Sequence, residues 1–177
     1  MAVVEADLGL LAEPFLKKAQ RLEALIESEG LPFRIFETRR SFTRSQTLYN
    51  QGRTFDSSGL TISVDKTKIV SNARAGESPH NWGLALDAIL ITDKTHAWWM
   101  GHQRELPLNP WDLGDAQRPI IKLAWERYGR CVRTCELSWG GDWTGFKDWP
   151  HAELRAWTSF RPQDWKAVVL RELALGR

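Results

Sequence analysis

Residues 84–92, LALDAILIT, carry the strongest β-strand signal in the chain, and an aspartate, Asp87, stands in the middle of that apolar run. Seven positions before it lies His80, and Gly83 between them offers a point where the backbone can turn. An apolar strand entered through an imidazole and carrying a carboxylate asks what the two groups meet. If the chain turns at Gly83, both can reach a single ion, with His151, which follows Pro150 in a tryptophan-rich stretch, as a third ligand. Asp148 lies three residues before His151, close enough to touch a water on such an ion. Spacing alone does not choose between a metal site and a hydrogen-bonded structural histidine.

Around this segment the chain reads as helices mixed with short strands. Residues 14–29, PFLKKAQRLEALIESE, place apolar residues near helical spacing, with Pro14 tolerated at the start and Gly30 as the stop. LPFRIFET alternates and predicts a strand, and SFTRSQTLYNQG predicts a second helix capped by Ser41 or Thr43 and ended by Gly52. Residues 54–77 are polar, with one β-prone piece at LTISV, and residues 93–115 read as a long loop broken by glycine and proline. DAQRPIIKLAWERYG predicts a helix, CELSW a short strand, and GGDWTGFKDWPHAEL a loop entering another strand. PQDWKAVVLRELALG predicts the last helix, with Pro162 or Gln163 near its start. This mixture without strict alternation favours α+β over a parallel doubly wound sheet. With no repeats, linkers or low-complexity tracts, the 177 residues predict one domain over 1–177.

Composition excludes several functions. The net charge of +2 is too small to argue for a nucleic-acid partner. Arg39, Arg40, Arg44 and Arg53 do cluster, either as a solvated face or as a receptor for a carboxylate-rich substrate. Cys131 and Cys135 form neither a disulfide framework nor a CxxC pair and read as free thiols. MAVVEADLGLLAEPFLKKAQ contains acidic residues and no basic leading region, so no signal peptide is expected, and no apolar run approaches membrane-spanning length. Of the ten tryptophans, Trp82, Trp139, Trp143 and Trp149 lie near the histidine segments and are candidates for groove walls as well as for packing.

Three motifs sharpen this reading. SPHNWGLALD matches S-x-H-x-x-G-x-A-x-D at Ser78, His80, Gly83, Ala85 and Asp87. WGGDWTGFKDWPHAEL holds D-x-P-H behind W-G-G-D-W, and RRSFTRSQTLYNQGRT is similar to an R-[ST]-x-x-R…LY-x-Q-G-R block. Together they span residues 40–154, and on them the chain resembles the zinc peptidases that include D-Ala-D-Ala peptidases and the L-alanyl-D-glutamate endopeptidases of phage and bacteria. Aspartate in D-x-P-H looks most like the endopeptidase branch.

The resemblance implies an α+β fold of the hedgehog/D-Ala-D-Ala-peptidase type, a small antiparallel sheet flanked by helices with one zinc ion at one end. It implies His80, Asp87 and His151 as zinc ligands, Asp148 as general base and Arg40 beside the scissile carbonyl. Arg44, Arg53 and Ser78 would serve the substrate, while Arg39 falls outside the matched pattern. The chain departs from the family at Ser45, where glutamine is frequent, at Ala152, where an aromatic is common, and in a longer segment over 93–135.

The function so implied is zinc-dependent cleavage of the L-Ala–D-Glu bond in peptidoglycan stem peptides. The expected protein is a monomeric phage endolysin without a separate wall-binding domain. It would accumulate in the cytoplasm of the infected host without inserting into membrane, and act on the wall after release. The alternatives are a D-Ala-D-Ala carboxypeptidase or dipeptidase, a bacterial wall-remodelling enzyme, and a wall-binding module without turnover. Nearby, Asp142 is a rival acid read as a loop cap. Glu153 is either a partner of a ligand histidine or a strand-edge charge, and His96 and His102 read as surface residues.

Overall fold

The computed structural model describes residues 4–177; residues 1–3, which open the stretch read above for a leader, lie outside the described residues. The helices and strands in chain order are α1 (Glu13–Ser28), β1 (Phe33–Glu37), α2 (Phe42–Asn50), β2 (Arg53–Phe55), β3 (Thr61–Val64), β4 (Ala85–Leu90), α3 (Pro119–Thr134), β5 (Leu137–Trp139), β6 (His151–Leu154) and α4 (Trp165–Ala174). Four strands form a sheet in the order β1-β4-β6-β5 with every neighbouring pair antiparallel, and β2 and β3 form a separate hairpin. This is the α+β arrangement of a small antiparallel sheet flanked by helices.

One face of the sheet is dry because two helices present apolar stripes to it. In α1, Phe15, Ala19, Leu22 and Ile26 recur every three or four residues and are buried together. In α3, Ile121, Ala124, Trp125, Tyr128 and Val132 do the same. Leu86, Ala88 and Leu90 of β4 face these helices, and Phe33 of β1 packs its ring 4.6 Å from Trp125 and 5.1 Å from Tyr128. Alternation along β4 sends Ala85, Asp87 and Ile89 to the opposite face. A smaller cluster of Phe42, Ala75 and Val169 joins α2 to α4, with Trp82 and Trp165 against it.

Two departures from the sequence expectation have clear causes. The helix expected over 115–129 begins at Pro119 and runs on to Thr134. Residues 112–118 are instead tied into a turn, where Arg118 pairs with Asp112 and Asp115. Gly129, which resembles a stop, sits inside the helix because the Trp139 ring lies against its backbone where a Cβ would stand. The strand β2 is three residues long within a polar stretch and leaves no periodic signal.

Cys131 and Cys135 are free and buried. Burial and the neighbouring Glu29 push the Cys131 thiol up to about 12, and burial raises Cys135 as well. Among the described residues no helix is long and apolar enough to cross a membrane.

Gly129→Ala should destabilise the chain by about 1–3 kcal/mol, because the added methyl must displace the indole; a urea-unfolding midpoint that does not fall would contradict this packing. Both thiols should resist alkylation at pH 8 in the native chain and react after unfolding, as read by intact mass.

Candidate metal centre

Register across three strands lines up the polar residues. Glu37 of β1 pairs with Asp87 of β4, and Asp87 pairs with His151 of β6. Glu37 joins this row through a bulge: Ile35 opposes Ala88 and Glu37 opposes Asp87, which leaves Phe36 as the extra residue. In an unbroken ladder Phe36 would stand opposite Asp87, and the Glu37 carboxylate would turn toward the apolar core.

His80 arrives from a short helical turn, Pro79–Trp82, which Gly83 closes in the left-handed region at φ +66°. A side chain at Gly83 is excluded twice over, since a Cβ would lie 2.9 Å from both the Leu10 carbonyl oxygen and the Ala12 nitrogen. The N-terminal arm thus crosses directly over this turn, with the Ala12 N–H donating to the Gly83 carbonyl at 2.9 Å. The same arm holds Thr38, whose N–H donates to the Glu5 carbonyl at 2.6 Å and whose hydroxyl reaches the Glu5 and Asp7 carbonyls at 3.0 Å.

Three donor atoms converge at the sheet. His80 Nε2, Asp87 Oδ1 and His151 Nδ1 stand 3.1–3.3 Å apart in a nearly equilateral triangle. The outer ring nitrogens determine what these atoms can do. His80 Nδ1 donates to the Thr38 carbonyl at 2.7 Å, which leaves Nε2 free to offer a lone pair. His151 Nε2 donates to Glu153 at 3.1 Å, which frees Nδ1 in the same way. A tetrahedral ion with arms of about 2.0 Å has ligand–ligand edges of about 3.3 Å, so this triangle fits a small divalent cation. His80, Asp87 and His151 are also the metal-competent group found among the described residues.

The field at the centre asks for positive charge. Burial by itself would lower His151, but hydrogen bonds to Asp87 and Glu153 and the charges of Asp87 and Asp148 outweigh it and push the imidazole up to about 10. Asp87 is held well below the usual carboxylate range: burial opposes this, but the charges and hydrogen bonds of His80 and His151 prevail. Without a cation, the proton on His151 plays that part.

Arg40, just before the Ser41 cap of α2, and Arg44, in its first turn, flank the row. Arg40 donates through Nε and Nη2 to Glu37 and reaches Asp87 Oδ2 at 3.3 Å, while Arg44 Nε donates to the other Glu37 oxygen at 2.7 Å. Asp148 is raised from its ordinary value by burial and by the Asp87 charge, against the pull of His151, His80 and Arg40. Its backbone N–H donates to the Gly140 carbonyl at 3.1 Å, and a Cβ on Gly140 would overlap the Asp148 carbonyl. The following residues are gripped by the core: Trp139 Nε1 donates to the Trp149 carbonyl at 2.8 Å, and the Tyr128 hydroxyl to the Pro150 carbonyl at 3.0 Å.

Of the eight candidate site residues, seven line one cavity of about 690 Å³: His80, Asp87, His151, Asp148, Arg40, Arg44 and Ser78. Arg53 is not among them. Its guanidinium donates to the carbonyls of Tyr49 and Ser71 and to Asn72, stacked 4.1 Å from the Tyr49 ring, so it braces the loop whose Ser71 and Asn72 form a cavity wall. Asp142 pairs with Arg133 at 2.9 Å on the surface, and Glu153 is the His151 partner rather than a strand-edge charge. His96 caps a short turn through the Trp98 N–H, and His102 pairs with Glu105. Among the four tryptophans named from the sequence only Trp143 lines the cavity, with Phe36, Trp111, Phe146 and Trp157 completing the aromatic side. Glu37 and Thr38 carry no signal in the sequence beyond their place beside Arg40.

Two family models, both described as D-alanyl-D-alanine carboxypeptidase, match the chain over residues 71–154 and 10–105. The chain is 34% identical over 142 residues to the peptidoglycan L-alanyl-D-glutamate endopeptidase CwlK of Bacillus subtilis strain 168, a match covering 80% of this chain and 72% of that one. Among solved structures it is similar to the L-Ala D-Glu endopeptidase ChiX of Serratia marcescens, with 19% identity and a TM-score of 0.44 over 83% of this chain and 82% of that one.

The raised His151 has a sign that can be tested. In the metal-free chain its folded pKa lies above the unfolded value of about 6.5, so the stability it contributes is complete below that pH and is lost as pH rises toward about 10. Urea unfolding in the presence of chelator should show stability falling over pH 7–10, and Glu153→Gln should flatten that slope. A flat profile in the parent chain would contradict the protonated pair.

Proposed function

The chain belongs to the D-alanyl-D-alanine carboxypeptidase family of peptidases, and from that membership we propose that it is a zinc-dependent peptidoglycan hydrolase cutting stem peptides between L-Ala and D-Glu. The observation that carries the choice of bond is the 34% identity, over 80% of the chain, to a peptidoglycan L-alanyl-D-glutamate endopeptidase. The choice of zinc rests on the donor set, two imidazoles and one carboxylate, with three protein ligands leaving a further position open.

His80 Nε2, Asp87 Oδ1 and His151 Nδ1 would hold the ion. When bound, zinc supplies Lewis acidity, lowering the pKa of coordinated water to about 7 and polarising a carbonyl. Asp148 accepts a proton at its carboxylate from the attacking water and passes it to the departing amine, a task to which its raised pKa is suited. Arg40, anchored on Glu37, sets a fixed positive charge where the carbonyl oxygen becomes negative. Arg44, held through Nε, keeps its terminal nitrogens for a carboxylate of the stem.

Action as a phage endolysin, from the cytoplasm of an infected cell, is part of the same proposal and rests on the sequence resemblance to phage endopeptidases. The Bacillus subtilis source of the relative favours wall remodelling as a second reading of the biology. The description of both family models favours release of terminal D-Ala as a second reading of the substrate.

Digestion of purified peptidoglycan by the parent chain and by Asp148→Ala, with mass spectrometry of the products and zinc analysis of both proteins, tests the reading. New D-Glu amino termini are expected from the parent, about one zinc in each protein, and turnover lowered by about 10²–10⁴-fold in the variant. Free D-Ala would move the substrate to the carboxypeptidase reaction. Zinc without cleavage would leave a binding module, and absence of zinc would remove the metal assignment.

A further inference from the structure

We propose that Glu37 is a positioning residue of this centre, holding the Arg40 guanidinium at the cavity wall and keeping it from closing on Asp87. The inference rests on the reading of Asp87 as a metal ligand. Two carboxylates compete for Arg40. Glu37 Oε2 accepts from both Nε and Nη2, whereas Asp87 Oδ2 has a single contact with Nη2 at 3.3 Å, beyond the ordinary range for such a bond. The other Asp87 oxygen faces the two histidines. Arg40 therefore leans on Glu37, and Asp87 keeps its charge for the position between the imidazoles.

Three further observations point the same way. Glu37 is 3% exposed, so water does not compete for its oxygens. Each of those oxygens is committed to a different arginine, Oε2 to Arg40 and Oε1 to Arg44. The strand also breaks its ladder at Phe36 to deliver this carboxylate, since regular pairing would turn it into the apolar layer. Neutralising Glu37 would leave Asp87 as the nearest anion for Arg40. A guanidinium paired with Asp87 engages the oxygen lone pairs that a cation needs and sets a positive charge beside it.

The test is a double-mutant cycle on metal affinity, measured by competition between the purified chain and a chromophoric zinc chelator. Glu37→Gln should weaken zinc binding by about 10–100-fold. The same substitution in an Arg40→Met background should change affinity by no more than about twofold, because the competing cation is gone. Losing one partner of a buried pair threatens folding, so Glu37→Asp, which keeps the charge but shortens its reach, is run through the same cycle with circular dichroism on every protein. It should show a smaller loss that Arg40→Met also cancels. An equal loss in both backgrounds, or no loss in either, overturns the positioning role while zinc binding and muropeptide cleavage by the parent leave the proposed function standing. A parent chain that binds no zinc removes both.

Discussion

Asp87 and His151 face each other across the antiparallel pair β4–β6, and the geometry of the centre follows from that register. The pair lies on the sheet face away from α1 and α3, in strands whose alternate residues, Leu86, Ala88, Ala152 and Leu154, are buried in the core. A slip of one residue in either strand would drive its polar side chain into the apolar layer and pull its neighbours out of it. The hydrophobic core thus acts at a distance on the site, because the same alternation that fills the dry face fixes which donors meet on the wet one. His80 and Glu37 are then brought to this pair by irregular backbone, a left-handed turn at Gly83 and a bulge at Phe36.

The charges around the cavity form a set with a definite deficit. Glu37, Glu77, Asp87, Asp148 and Glu153 bring five carboxylates, and Arg40 and Arg44 bring two guanidiniums. With neutral imidazoles the carboxylates outnumber the guanidiniums by three, a field that favours a bound cation. The division is spatial as well as numerical, because the arginines are anchored on the Glu37 side and Glu153 stands behind His151. Negative potential is therefore left where Asp87 and the two free imidazole nitrogens converge.

Much of this was readable in the chain as text, and the rest was not, for reasons that differ from residue to residue. The helix of Phe15, Ala19, Leu22 and Ile26 and the strand around Asp87 follow from periodicity, which reports burial directly. His80, Asp87 and His151 could be proposed together only because motif order supplied what spacing lacked. Gly129 is ambiguous in sequence because a glycine that ends a helix and one that admits an indole look alike. Arg53 fell in a matched block, yet its guanidinium is spent on backbone carbonyls, a choice that depends on where the loop over 71–72 lies. Glu37 is not legible in the sequence because a single extra residue in a strand reverses every facing rule after it, and a bulge leaves no periodic trace.

The N-terminal arm has a consequence for how the molecule can breathe. Residues 5–12 bond to Thr38 and to Gly83, and Thr38 in turn holds His80 through one carbonyl. Lifting the arm would uncover the turn below it and release two of the hydrogen bonds that fix Thr38, whose carbonyl orients the imidazole. One of the three donors is therefore oriented through a stretch of chain remote from every motif.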